Sequence, residues 1–537
     1  MHPWIVIKLG GSSQSLEGYG ALFRHIRNRI GDHRIAVVLS AVKGVTDKLI
    51  NCGEADWRSA SKIADEILGI HLSLMKKCGL EERTVTSLFR SFQHEVSAGL
   101  LPPGKRSNQS RINLLSYGEL FSSYICYLFL QKHLDPGCDP LYLDTRWVMR
   151  TDHENDDGHG HLHQFCEFKF DRGKFVDLVG DGRVVVCPGF IASTPSGATC
   201  LLSRGGGDTS AAIVAHGLPS KVLEIWTDVN GMYSADPNRF PGARIIRDIG
   251  YEQAQELAAM GAKVLHPYCI LPCMQKRIPI VIRNTYDCDR PEFTTIDGAG
   301  SRGGPYAITD QKGIVLFSVT SLNMWNNYGF VHDIFKVFSD LGINVNIITT
   351  SQFTISTTTD STDRDALLRA KHRLSAKYQV EMTDHCSIVS IVGDQIHNEP
   401  FVDVAMDKLR RTGHRIHVIH YSANRLSVSF VIDTVHSDSV LIMLAEALER
   451  HLCDGERNAV PLTPVPGLQE RNGGAIGDNP ANGTACGVEP ADPAHVENPS
   501  GISRNPVDSP PCNLPAPGKR RRAPALLGLV GLKDHFR

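Results

Sequence analysis

A run of apolar, largely β-branched residues, Trp4–Leu9, stops at Gly10-Gly11 and gives way to a helical pattern over Tyr19–Ile30. Strand, glycine turn and helix is the repeating unit of an open α/β sheet. The theme returns. Arg34–Ser40, Gly182–Ile191 and Val222–Val229 are near-continuous apolar runs, the signature of strands buried on both faces. Ala254, Leu257, Ala258, Gly261 and Val264 recur at helical spacing. Residues 1–300 are therefore expected to form a three-layer α/β sandwich around a mainly parallel sheet.

From Gly313 the units shorten. Strand-like Ile314–Val319, helical Gly329–Leu341, strands Ile343–Thr349 and Phe353–Thr359, and helical Arg364–Ala376 make one small α+β module over 313–385. Ser387–Val392, Val402–Arg411, Ile416–His420 and Leu426–Ile432 make a second over 386–455. Beyond 456 the chain turns to Pro, Gly, Asn, Asp and Ala. Such a composition buries too little apolar surface to offset the entropy of ordering, so 456–537 is expected to be a disordered tail.

Two or three domains fit 537 residues, and 42% hydrophobic content is ordinary for a soluble globular chain. Lys+Arg 56 against Asp+Glu 58 leaves a net charge of -2, which supplies no field for nucleic acid or an anionic membrane. No apolar run approaches the ~20 residues of a membrane helix. The N-terminus enters a strand at once, without a signal-peptide pattern. The 14 cysteines show no CxxC or framework spacing and read as reduced thiols, with the cytoplasm as the expected compartment.

Three segments carry chemistry. Lys8-Leu9-Gly10-Gly11 places a lysine at a strand end, before paired glycines that let backbone N–H groups approach phosphate. The lysine precedes the glycines, so this is not a Walker A loop; alone, a strand and tight turn explain it equally well. LSRGGGDTSAA over 202–212 offers three glycines, an arginine and an aspartate at a helix start. A capped flexible turn leaves Arg204 without a purpose, which an anion-binding nest supplies. EIWTDVNGMYSADP over 224–237 delivers Thr227 and Asp228 to the C-terminal end of a strand, where α/β sheets bind ligands.

With SYGELFS at 116–122 and AMGAKVLHP at 259–267, these segments resemble the aspartate kinase family in sequence and order, over roughly residues 4–455. The two small modules resemble its ACT domains. SLNM at 321–324 and IITTS at 347–351 are most similar to its lysine-sensitive, single-function branch. The resemblance implies phosphoryl transfer from ATP, with Mg²⁺, to the β-carboxylate of L-aspartate, the first step towards lysine, threonine and methionine. It implies that Lys8, Gly10, Gly11 and Asp208 act on the phosphoryl group. Ser40, Thr46, Glu119, Arg204 and Gly205 would bind aspartate; Thr227, Asp228, Tyr233, Asp236 and Lys263 would line the nucleotide. An amino-acid effector would sit among Met324, Asn327, Val345, Asn346, Thr350, Ser351 and Gln352. No residue set is implied as a metal site. A homodimer or larger homo-oligomer is implied, with neither nucleic acid nor membrane as partner.

The chain departs from that pattern. The family usually reads Gly-Arg-Gly-Gly-Ser-Asp where this chain has Ser203-Arg-Gly-Gly-Gly-Asp208, so a hydroxyl is missing at Gly207. An aspartate and a glutamate of the lysine pocket are replaced by Asn346 and Gln352, and the usual His-Ser by Asn326-Asn327. Weak or absent lysine feedback, or the sensing of another amino acid, is expected. The alternatives are a catalytically weakened amino-acid sensor and another amino-acid kinase of the same fold. His159, His161 and His163 fit a solvated loop better than a metal site, and Lys519–Arg522 fits a solvated basic patch.

Overall fold

A computed structural model describes residues 2–98, 107–138, 140–154, 163–164, 168–203, 205–262, 264–287, 292–298, 303–321 and 328–458. The expected tail past 458, its Lys519–Arg522 run, and His159 and His161 lie outside them. The elements that position the site are β1 (Trp4–Leu9), α1 (Leu16–Arg29), β2 (Arg34–Leu39), α2 (Asn108–His133), β3 (Val184–Pro188), α3 (Gly206–Gly217), β4 (Val222–Thr227) and β5 (Ile280–Asn284).

An eight-stranded sheet runs in the order Asp248–Gly250, Thr294–Asp297, β5, β4, β1, β2, β3, Leu141–Tyr142. Among the described residues its one antiparallel pair is β5 with Thr294–Asp297; β1 lies between β2 and β4, parallel to both. Alternation decides what each face buries. Ile5, Ile7 and Leu9, with Ile35, Val37 and Leu39, pack against Tyr19, Leu22 and Ile26 of α1. Val6, Ala36 and Val38 face the other way, into a core that includes Ala211, Ala212 and Ala215 of α3. Each fully buried Leu or Ile side chain contributes roughly 1.5–3 kcal/mol. By the same alternation Lys8 emerges on the α3 side, at the C-terminal rim of the sheet.

The strand read over Gly182–Ile191 is broken: β3 ends at Pro188 and Ile191–Ser193 joins a separate five-stranded sheet. The break falls at Phe190, whose φ of 65° turns the chain out of the first sheet.

The C-terminal half is one antiparallel six-stranded sheet with helices on one face. Its two long strands are β6 (Gly304–Thr320) and β7 (Gln379–Asp394), paired along their whole length. Sequence periodicity finds only Ile314–Val319 and Ser387–Val392, because both strands kink midway. Gly313 has φ 78° and His385 has φ 58°, with register shifts around Ile314. Above the kink, Val315, Phe317 and Val319 pack under Ile334, Phe338, Leu367 and Leu374. Below it, Ile308, Val389 and Ile391 pack under Phe401, Leu409, Leu441 and Leu444, the last two from helix α4 (Ser437–Asn458). Residues 304–312 thus lie in the same half of the sheet as 386–433, although 313–385 separates them in the chain.

The strand read over Ile343–Thr349 is regular only at Ile348–Thr350. Thr358 Oγ1 accepts the Ile347 N–H at 2.9 Å, which replaces a ladder bond there. Among the described residues no helix is long and apolar enough to cross a membrane.

Candidate active site

Lys8 and Asp208 meet at the rim. Lys8 Nζ lies 2.8 Å from Asp208 Oδ1, both side chains being largely buried. Asp208 sits in the first turn of α3, where the helix dipole favours a carboxylate. Its other oxygen, Oδ2, accepts the His266 backbone N–H at 3.2 Å. Gly10 donates its N–H to Trp226 O at 3.0 Å, which ties the glycine turn to the end of β4. What Gly10 offers the lysine is an open face: Nζ is 3.5 Å from where a Cβ would stand. Lys43 N–H in turn donates to Gly11 O at 3.1 Å.

Two of the glycines before Asp208 answer to particular neighbours. Gly205 caps α3 with φ 72°, and a Cβ there would stand 2.2 Å from His266 Cβ. Gly207 faces Ser40: a Cβ would stand 2.5 Å from Ser40 Oγ and 3.6 Å from Lys8 Cε. A hydroxyl is therefore present beside Gly207, delivered by the neighbouring strand end. Arg204 lies outside the described residues.

Glu119 occupies the middle of α2, a helix buried nearly all round. Its Oε1 accepts the Ala41 N–H at 3.2 Å, and Oε2 has no hydrogen-bond partner. Burial pushes its carboxyl up to about 8, against the opposing pull of backbone hydrogen bonds from Ala41 and its own N–H. A buried carboxyl with one idle oxygen is poised for a cation. The adjoining turn is fixed by Ser122 Oγ and Gln14 Nε2, which donate to Ser40 O at 2.7 and 3.2 Å. Gly44, with φ 80°, then starts the helix Val45–Glu54, on which Thr46 is half-buried. Glu119, Ala41, Ser40, Gly207, Asp208 and Lys8 thus form one continuous chain of neighbours.

The other candidates lie at the end of β4. Thr227 Oγ1 donates to Asp228 Oδ1 at 3.2 Å, and Asn284 Nδ2 donates to Asn230 Oδ1 at 3.0 Å. Tyr286 OH donates to Ser12 O at 2.6 Å, and the hydroxyls of Ser13 and Thr285 are 2.6 Å apart, so β5 braces the turn after β1. Tyr233 follows in a short hairpin, Met232–Tyr233 with Ile245–Ile246, and burial raises its phenol above the usual range. Asp236 is half-buried in the hairpin loop and accepts from Arg239 Nε at 3.1 Å. Lys263, Met324 and Asn327 lie outside the described residues. Asn346, Thr350, Ser351 and Gln352 are exposed around the edge strand Ile348–Thr350, well apart in the chain and in a different sheet from Lys8; Val345 is half-buried beside them.

Sequence reasoning missed Asn230, Arg239, His266, Asn284 and Tyr286. His266 had a signal, since it precedes a proline that begins a short helical turn. It also missed the buried charge under the site: Glu224 on β4 accepts from Arg29 Nη1 at 2.6 Å and Trp226 Nε1 at 2.9 Å. Burial opposes its ionisation, but His25, Arg283 and Arg29 outweigh that and hold it at about 2. Among the described residues no group of three or more His, Cys, Asp or Glu side chains is arranged to hold a metal ion.

A mainly parallel sheet with a lysine and a glycine turn at its rim, facing an aspartate at a helix start, is an arrangement that can hold a phosphate group at the C-terminal ends of its strands. Residues 3–284 match the amino acid kinase family. The chain belongs to that family, within its aspartokinase branch. It is 25% identical over 468 residues to aspartokinase 2, chloroplastic, of Arabidopsis thaliana, covering 82% of this chain and 84% of that one. It is 28% identical over 405 residues to lysine-sensitive aspartokinase 3 of Escherichia coli, covering 74% and 88%. Among solved structures, E. coli aspartokinase III in complex with aspartate and ADP superposes with a TM-score of 0.70 at 26% identity, over 83% of this chain and 99% of that one. The same enzyme with lysine and aspartate gives 0.63.

Proposed function

We propose that this enzyme transfers the γ-phosphoryl group of ATP to the β-carboxylate of L-aspartate, yielding 4-phospho-L-aspartate for lysine, threonine and methionine synthesis in the cytoplasm. The observation that carries the reading is the run of neighbours from Lys8 to Glu119: a cation for the phosphoryl group at one end, a buried carboxyl with an idle oxygen at the other. The acceptor carboxylate is already ionised at neutral pH, so no general base is needed. Alignment and charge stabilisation suffice.

Lys8 would meet the charge that develops on the transferring group, held in line by Asp208. Glu119 would take the substrate α-ammonium, and Arg204, with the Gly205 backbone, its α-carboxylate. The Ser40 and Thr46 hydroxyls would steady the acceptor. Thr227, Asp228, Tyr233, Asp236 and Lys263 would face the nucleotide. With no carboxylate cluster for a metal ion among the described residues, a Mg²⁺ would be held chiefly by the phosphate oxygens. Such an ion would neutralise phosphate charge.

The division that goes with this reading is a catalytic region over 1–300 and two ACT modules over 313–385 and 386–455, the second also taking in 304–312. A homo-oligomer with an amino-acid effector at Val345, Asn346 and Thr350–Gln352 belongs to it, with lysine feedback weakened by the two amides. The weakened-sensor alternative rests on the hydroxyl missing at Gly207 and on the appended tail. Ser40 Oγ in that very space counts against it. Hydroxamate formation from ATP and aspartate, lowered about 10²–10³-fold in Lys8→Ala and absent with glutamate or acetylglutamate, tests the proposal. Activity that is equal with glutamate, or that is undiminished in Lys8→Ala, overturns it.

A further inference from the structure

Arg239 is held by three carboxylates from three separate stretches of chain. Nε donates to Asp236 Oδ2 at 3.1 Å, within its own loop. Nη1 donates to Asp310 Oδ2 at 3.0 Å on β6, and Nη2 to Asp310 Oδ1, a two-pronged fork. Nη1 also donates to Asp438 Oδ1 at 2.6 Å, in the first turn of α4. The acceptor side is built for this. Asp310 is almost fully buried and accepts a further bond from Ser437 Oγ at 2.6 Å; Lys312 Nζ neutralises Asp438 at 2.7 Å. A second grip lies on the same hairpin: Ser234 Oγ and Arg244 Nε reach the two oxygens of Glu449 on α4 at 2.7 and 2.6 Å. The Ile308 N–H donates to Ser234 O at 2.8 Å.

The hairpin that carries Tyr233 and Asp236 is thus clasped at both ends by the regulatory sheet and its last helix. A two-stranded hairpin of this size has little stability of its own. We infer that Arg239 is a positioning residue for the nucleotide, setting the Tyr233–Asp236 loop through carboxylates lent by β6 and α4. Nucleotide affinity, and not aspartate affinity, then depends on those elements staying docked. This rests on the proposed placing of Tyr233 and Asp236 at the nucleotide.

Steady-state kinetics on the full chain test it. Arg239→Ala raises the KM for ATP about tenfold, with kcat and the KM for aspartate within about twofold of the parent. Arg239→Lys keeps the charge but loses the fork and falls between. Asp438→Asn, half-exposed and outside the catalytic region, raises the KM for ATP in the same sense by about threefold, and it serves if Arg239→Ala does not fold. Tyr233→Ala probes the underlying reading separately. If it raises the KM for ATP while folded Arg239→Ala and Asp438→Asn do not, the positioning role is wrong and the nucleotide reading stands. If Tyr233→Ala leaves that KM unchanged, the nucleotide reading falls and the inference with it. A matched rise in both KM values in Arg239→Ala signals general loosening and also overturns it.

Discussion

Lys8 and Asp208 hold one another at 2.8 Å across the seam between the end of β1 and the start of α3. The aspartate holds the ammonium at the rim of the sheet. It also anchors the loop, through His266 N–H.

Removing the ammonium takes away a charge aimed at the transferring group. Lys8→Ala is expected to lower kcat by about 10²–10³ with little change in either KM. Lys8→Arg is not expected to restore it, because the planar fork does not fit a space shaped for a point charge. Asp208→Asn, which keeps the ammonium but loosens it, should fall between Lys8→Ala and the parent. ADP release at saturating substrates measures all three.

Glu119 predicts a proton count. With its carboxyl raised from 4.5 to about 8, it is mostly neutral at pH 7 in the free protein and ionises when a substrate ammonium arrives. Aspartate binding should then release close to one proton at pH 7, measured by calorimetry in buffers of different ionisation enthalpy. Glu119→Gln should abolish the release and weaken aspartate by roughly 1.5–3 kcal/mol. The same shift acts on folding. A raised folded value means stability is fully present below 4.5 and is lost as pH rises through about 8. Melting temperature should therefore decline over that window in the parent and much less in Glu119→Gln.

The two glycines separate stability from activity. Gly205→Ala demands a left-handed residue, about 1–2 kcal/mol, and a collision with His266, so its melting temperature should drop along with activity. Gly207→Ala only turns the Ser40 hydroxyl aside. Its melting temperature should stay near the parent while kcat/KM for aspartate falls about tenfold or more.

Lysine should inhibit weakly, because Asn346 and Gln352 offer amides where an ammonium prefers carboxylates. Asn346→Asp with Gln352→Glu should lower the half-inhibitory lysine concentration by about tenfold or more. Submillimolar inhibition of the parent chain contradicts this.

Much of the geometry of the candidate site was legible because strands and glycine turns are local. The alternation Trp4, Val6, Lys8 fixes the side on which the lysine emerges, and Gly205–Gly207 announce a close approach, though not what approaches. Glu119 could be named only through the family resemblance: a single carboxylate in an apolar helix carries no pattern of its own. Arg239 and Glu224 were illegible for a further reason. Their partners, Asp310 and Asp438 for one, Arg29 and Arg283 for the other, are brought near by topology alone. The full length of β6 and β7 was hidden by kinks at Gly313 and His385, where the period breaks within a continuous strand.

The threading of β6 has a consequence for shortened or recombined versions of this chain. Residues 304–312 enter the sheet early but are paired by 387–394, which arrive some eighty positions later. A stop codon near 385 would not yield a kinase trimmed of one sensor. It would strand the first half of β6 with open hydrogen-bonding groups and bare Ile308, a surface that recruits other copies. Regulatory cassettes grafted between relatives should accordingly be cut before Gly304 and after α4, and moved whole.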